Sequence, residues 1–169
     1  LFHAYETFYI MITCIIYTLM GVFLLPVIQI YTKGINDAEY TNVFLVLLFV
    51  IMNLIANSKL PANSIIEYSG RFEKTRSYAI WEMVINITVS VAAIMYMGIC
   101  GAILGTIAAL VYRGVVTIYY SNTKVLGRSQ FCTYKILILN GAVFVVIMFI
   151  FFVDTFSSVS FLKLLLNKF

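Results

Sequence analysis

Phe8 to Tyr31 reads FYIMITCIIYTLMGVFLLPVIQIY and contains no charged residue. An α-helix needs about 20 mostly apolar residues to cross a hydrocarbon core of about 30 Å, and this stretch has them. Pro26 lies in its last third, a position tolerated in membrane helices when neighbours satisfy the freed carbonyl. Working outward, further apolar runs cover 43–66, 77–97, 102–120 and 136–153, and a shorter one at 156–166 can form only a partial sixth helix. The second run is uncharged to Ser58 and continues through Lys59 and Pro61, where a kink is expected. The fold expected is all-α, a polytopic membrane helix bundle of five spans plus that partial sixth, forming a single transmembrane domain over 1–169.

Composition requires the same solvent. Hydrophobic residues make up 63% of the chain and charged residues 11%, whereas a water-facing domain carries roughly a quarter charged residues. The net charge of +4 does not point to nucleic acid, because the basic residues sit between apolar runs and report topology instead. Cys14, Cys100 and Cys132 have no C-x-x-C spacing and read as small buried hydrophobes. With His3 as the single histidine, no metal site is expected and no cofactor. No signal peptide is visible. The start at Leu1 and the short last run lead us to expect a fragment of a longer protein.

Basic residues set the orientation. Lys59, Arg71, Lys74 and Arg76 cluster around the second loop, and Lys124, Arg128 and Lys135 fall in the linker of 121–135. The opposite side offers Lys33 against Asp37 and Glu39, a bare hairpin at Gly98 to Gly101, and Asp154. The positive-inside rule makes the first two segments cytoplasmic, so the first helix runs from inside to outside.

Polar groups inside membrane helices are costly and need a partner or water. Glu82 and Asn86, spaced i, i+4, share a helix face. Counting from a turn centred near Gly98 to Gly101 places Arg113 level with Asn86, and Glu82 about one turn (roughly 5.4 Å) deeper toward the cytoplasm. Arg113 is then either an anion-handling group in a hydrated cavity or half of a structural ion pair. Asn53 and Asn57, also i, i+4, line a polar path or bond across helices. Lys59 is expected to snorkel toward headgroups, and Arg71, Lys74 and Arg76 form a basic cytoplasmic loop whose sharper reading is contact with a lipid diphosphate. Gly101 and Gly105 have the G-x-x-x-G spacing of close helix packing.

Two strings carry a family resemblance. LLPVIQIYTKGINDAEY, Leu24 to Tyr40, resembles a helix end and following loop of bacterial oligosaccharide flippases. SGRFEKTRSYAIWEMVINITVSVAAIMYMGICGAILGTIAALVYR, Ser69 to Arg113, is similar to the same family through Gly70, Thr75, Arg76, Glu82, Asn86, Ser90, Gly98, Gly101, Gly105, Thr106 and Arg113. The resemblance spans roughly residues 5 to 130, and its specificity lies in order and spacing. It implies the second lobe of a two-lobed O-antigen-type transporter of the multidrug/oligosaccharidyl-lipid/polysaccharide exporter superfamily, whose two lobes enclose a cavity opening to either side in turn.

The implied activity moves undecaprenyl-diphosphate-linked oligosaccharide across the bacterial plasma (inner) membrane, for surface polysaccharides such as lipopolysaccharide. Arg113 would contact the anionic head, Asn86 would supply hydrogen bonds and Glu82 would orient Arg113, with Asn53 and Asn57 along the path. The partners implied are that lipid, the surrounding membrane lipids and a missing N-terminal lobe. Alternatives are a cation-coupled drug exporter of the same superfamily and an inactive truncated remnant. An enzyme is not expected, for the sequence has neither a large external loop nor a His/Asp/Glu constellation.

Overall fold

The computed structural model describes residues 1–31 and 43–166, excluding the side chains of Gln29, Phe72, Lys74 and residues 152–166. Lys33, Asp37, Glu39 and the side chains of Lys74 and Asp154, used above to orient the chain, therefore lie outside the described part. Among the described residues the chain is helical with short connections: α1 (Phe2–Tyr31), α2 (Val43–Ser58), α3 (Leu60–Tyr68), α4 (Phe72–Met97), α5 (Ile99–Tyr120), a π-helical turn (Ser121–Val125) and α6 (Phe131–Leu166). Five stretches are long and apolar enough to cross a membrane: Phe2–Ile28, Val43–Tyr68, Thr75–Met97, Ile99–Val125 and Phe131–Phe151. The chain is a multi-pass helical membrane protein.

Several boundaries fall outside the uncharged runs. α1 begins at Phe2 rather than Phe8, because His3, Glu6 and Thr7 are accommodated in its first turns; Thr7 Oγ1 donates to the His3 carbonyl at 2.9 Å. The second span breaks at Lys59, where Pro61 occupies the first turn of α3. Proline has no N–H to give and its ring crowds the carbonyl four residues back, so the axis must shift there. The segment at 156–166 forms no separate sixth element: α6 runs through it unbroken. No Gly or Pro follows Gly141, so nothing in the backbone chemistry stops the helix.

α4 packs on α5, α5 on α2, α2 on α1 and α1 on α6. Where α1, α2 and α6 meet, Ile10, Cys14, Val50, Leu54 and Phe144 form the buried core. α4 touches little besides α5, and its outer face presents Trp81, Met83, Ile87 and Val91. In a membrane that face needs no polar cover.

The α4–α5 hairpin turns on Gly98, whose φ of +58° an L side chain rarely adopts. Past the turn, a Cβ on Gly101 would run into the Ala93 backbone, and one on Gly105 would lie 2.6 Å from Ser90 Cα. The glycines thus let the two helix axes approach closely. Gly114, farther along α5, has no heavy atom within 4 Å of an added Cβ. Gly105→Val should therefore destabilise the protein by about 1–3 kcal/mol through overpacking, while Gly114→Ala leaves stability unchanged or raised. Thermal unfolding in detergent checks this, and equal melting temperatures for the two variants would contradict the hairpin packing.

Candidate functional site at one end of the bundle

Three polar segments distant in sequence meet at one end. The guanidinium of Arg71, just before α4, donates to the Lys124 carbonyl at 2.5 Å. α3 packs against the π-helical turn. Arg128, after that turn, pairs with Glu6 of α1. The N-terminal segment, the 59–76 segment and the 121–135 linker therefore share one end, as the charge pattern requires.

The first charged cluster centres on Glu82. Lys59 Nζ lies 3.2 Å from one carboxylate oxygen, and Arg113 Nε lies 3.8 Å from the other. Arg113 Nη1 also donates to the Thr75 carbonyl at 2.8 Å. Side-chain exposures of 17% for Lys59, 25% for Glu82 and 12% for Arg113 place the group partly inside the bundle and still reachable. Two cations face one carboxylate, so the cluster carries an excess positive charge. At the break between α2 and α3, Lys59 is turned toward α4, where its ammonium meets Glu82.

The expected depths also change. Gly105 opposite Ser90 and Arg113 opposite Glu82 are symmetric about the Met97–Gly98 junction, and Gly101 opposite Ala93 is centred within half a residue of it. Helix α5 starts immediately after Gly98, so the hairpin is shorter than a turn spanning Gly98 to Gly101 would make it. Arg113 is accordingly level with Glu82, and Asn86 lies about a turn away toward the hairpin. Asn86 Oδ1 accepts from Ser90 Oγ at 3.0 Å and lies 3.4 Å from Thr106 Oγ1, a polar seam between α4 and α5.

Asn53 and Asn57 stand apart from this cluster. Asn53 donates to the Phe49 carbonyl at 2.8 Å, and Asn57 donates to Asn53 O at 2.9 Å and to Tyr17 Oη at 2.7 Å. They join α2 to itself and to α1. Of the basic loop, Arg71 is tied to the linker and Arg76 is exposed.

A second cluster was not foreseen. Glu6 is buried; its Oε2 pairs with Arg128 and its Oε1 accepts from Thr133 Oγ1 at 2.7 Å. Arg128 also bonds Asn122 Oδ1 and stacks its guanidinium 5.1 Å from the Phe2 ring centroid. Asn122, fully buried in the π-helical turn, donates to the Ile118 carbonyl and Thr133 Oγ1 at 2.9 and 3.1 Å. A signal was present: Glu6, Ile10, Thr13 and Cys14 fall on one helical stripe, and all four are buried. An acid at the head of an apolar stripe implies a counter-charge elsewhere, though not which one.

Between α1, α2, α5 and α6 lies a cleft of about 300 Å³ walled by carbon, with Cys14, Leu54, Val115, Ile118 and Leu137 on its sides and Lys59 at its edge. Among the described residues, no group of His, Cys, Asp and Glu side chains could hold a metal ion. Comparison with family models, curated proteins and solved structures returns no match.

The two clusters should respond differently to loss of the acid. Glu6→Gln leaves Arg128 without its counter-charge in a buried setting, and breaking such a pair costs about 3–5 kcal/mol. The Glu6→Gln, Arg128→Gln double variant recovers part of that loss. Glu82→Gln, more exposed, is milder. Denaturant unfolding in detergent ranks the three, and a Glu6→Gln protein as stable as Glu82→Gln would contradict the burial argument.

Proposed function

We propose that this chain is one lobe of a flippase that carries lipid-diphosphate-linked oligosaccharide across the bacterial inner membrane for surface polysaccharide assembly. The observation that carries this reading is the Lys59–Glu82–Arg113 cluster, with its excess cation at the junction of α2, α4 and α5. A group built only to cancel charge would match one base to one acid. The resemblance of Ser69 to Arg113 to oligosaccharide flippases supports the same conclusion, and the cluster lies within or beside that stretch.

Arginine presents a planar fork that matches phosphate oxygens, and lysine adds a point charge. The Arg113–Glu82 contact at 3.8 Å is looser than the Lys59–Glu82 contact at 3.2 Å. An arriving diphosphate takes Arg113 while Glu82 keeps Lys59, so the substrate gains a cation without leaving Glu82 unpaired. Release restores the Arg113–Glu82 pair. The basic segments at this end make it cytoplasmic by the positive-inside rule, the side on which such a substrate is loaded. A cationic drug substrate fits less well, because both oxygens of Glu82 already face cations.

In cells whose surface polysaccharide depends on the intact protein, Arg113→Ala should abolish that polysaccharide without lowering the amount of folded protein. Arg113→Lys should restore it in part, keeping charge but losing the fork. Cell-surface polysaccharide measured beside membrane abundance checks this; a normal level in Arg113→Ala cells sinks the assignment.

A further inference from the structure

Glycines in α5 and α6 fall into two kinds. Gly101 and Gly105 sit where the α4 backbone leaves no room for a side chain. Gly114 of α5 and Gly141 of α6 have nothing within 4 Å of an added Cβ. Glycine weakens a helix interior relative to alanine, and no close packing explains these two. Both line the cleft between α1, α2, α5 and α6. What they do is keep it open.

The cleft touches the charged cluster at Lys59. α5 packs on α2 and α4, and α6 packs on α1, so the cleft lies between two helices that lean on different neighbours. Tyr134 Oη of α6 donates to the Val115 carbonyl of α5 at 3.2 Å, bridging them. An apolar cavity of roughly 150 Å³ stays free of water and takes up benzene. This one holds about 300 Å³, enough for part of one hydrocarbon chain and too small for a long polyprenyl tail. Lys59 lines the same cleft and reaches the excess positive charge of the Glu82 cluster.

We propose that this cleft seats one acyl chain of an anionic membrane phospholipid, with its phosphate meeting Lys59. Hydrocarbon fills the carbon-walled space, and the headgroup adds an anion to a cluster in which two cations share one carboxylate. The site stands independently of the transport reading, since it requires only a bilayer containing anionic lipid.

The test reconstitutes the intact protein in phosphatidylcholine nanodiscs containing phosphatidylglycerol with a diazirine in its acyl chain, or phosphatidylcholine with the same acyl probe. Cross-links are mapped by peptide mass spectrometry, with the outer face of α4 as the bulk-lipid reference. The phosphatidylglycerol probe should label residues 111–118 and 134–141 about five-fold more than the phosphatidylcholine probe, the ratio expected for one charge contact. Gly141→Leu, which fills open space, should remove that labelling and leave α4 unchanged; Gly114→Leu serves as the second such variant. Lys59→Gln should erase the headgroup preference. Equal labelling by both probes, or labelling unchanged in both leucine variants, overturns the proposal. So does displacement of the probe by an equimolar polyprenyl diphosphate, which would assign the cleft to a different lipid.

Discussion

A carboxylate carried into a hydrocarbon layer has to find its counter-charge within the protein, and much of this structure follows from two such carboxylates. Removing an ion from water costs several kcal/mol even after relaxation, so neither Glu6 nor Glu82 can sit in its helix alone. Glu82 draws together the α2–α3 break, α4 and α5. Glu6 draws together α1, the π-helical turn and the start of α6. Both ties lie at the same end. Toward the hairpin, α4 and α5 are joined instead by close backbone approach and by the Asn86, Ser90 and Thr106 seam.

The two clusters solve the same problem in different ways. Around Glu6 every oxygen is occupied, the acid is buried and one base answers it. That arrangement holds three elements in register and offers nothing to a ligand. Around Glu82 the groups are partly exposed, one contact is long, and two bases answer a single acid. A site that must exchange an anion needs such slack, because tightly matched charges would gain nothing from a newcomer. The glycine-lined cleft meets the Glu82 cluster at Lys59. Electrostatics and hydrocarbon packing therefore share one residue.

Much of the architecture was legible because the bilayer sets a length that apolar runs either meet or miss. Five runs met it, and Pro61 and Gly98 marked the break and the turn. What escaped were features that depend on partners remote in sequence. The uncharged run beginning at Phe8 hid Glu6, since its partner Arg128 lies at the other end of the chain. The level of Arg113 was misplaced because the hairpin register depends on Gly101 and Gly105 closing against α4, which a count from the loop centre ignores. Lys59 was read as a snorkelling lysine near a helix end; its ion pair with Glu82, 23 residues on, depends on how α4 packs and left no local trace in the sequence.

The central claim is that Lys59 and Arg113 make a positively biased site, open to water from the end that carries the basic segments. Its most direct test places a single cysteine at Thr75, whose carbonyl accepts from Arg113, with Cys14, Cys100 and Cys132 replaced. Reaction rates with anionic and cationic thiol reagents are then compared from each side of sealed membrane vesicles. The account requires faster reaction with the anionic reagent, from the cytoplasmic side, and loss of that preference when Lys59 and Arg113 are both changed to Gln. Faster reaction with the cationic reagent, or reaction only from the opposite side, would contradict it.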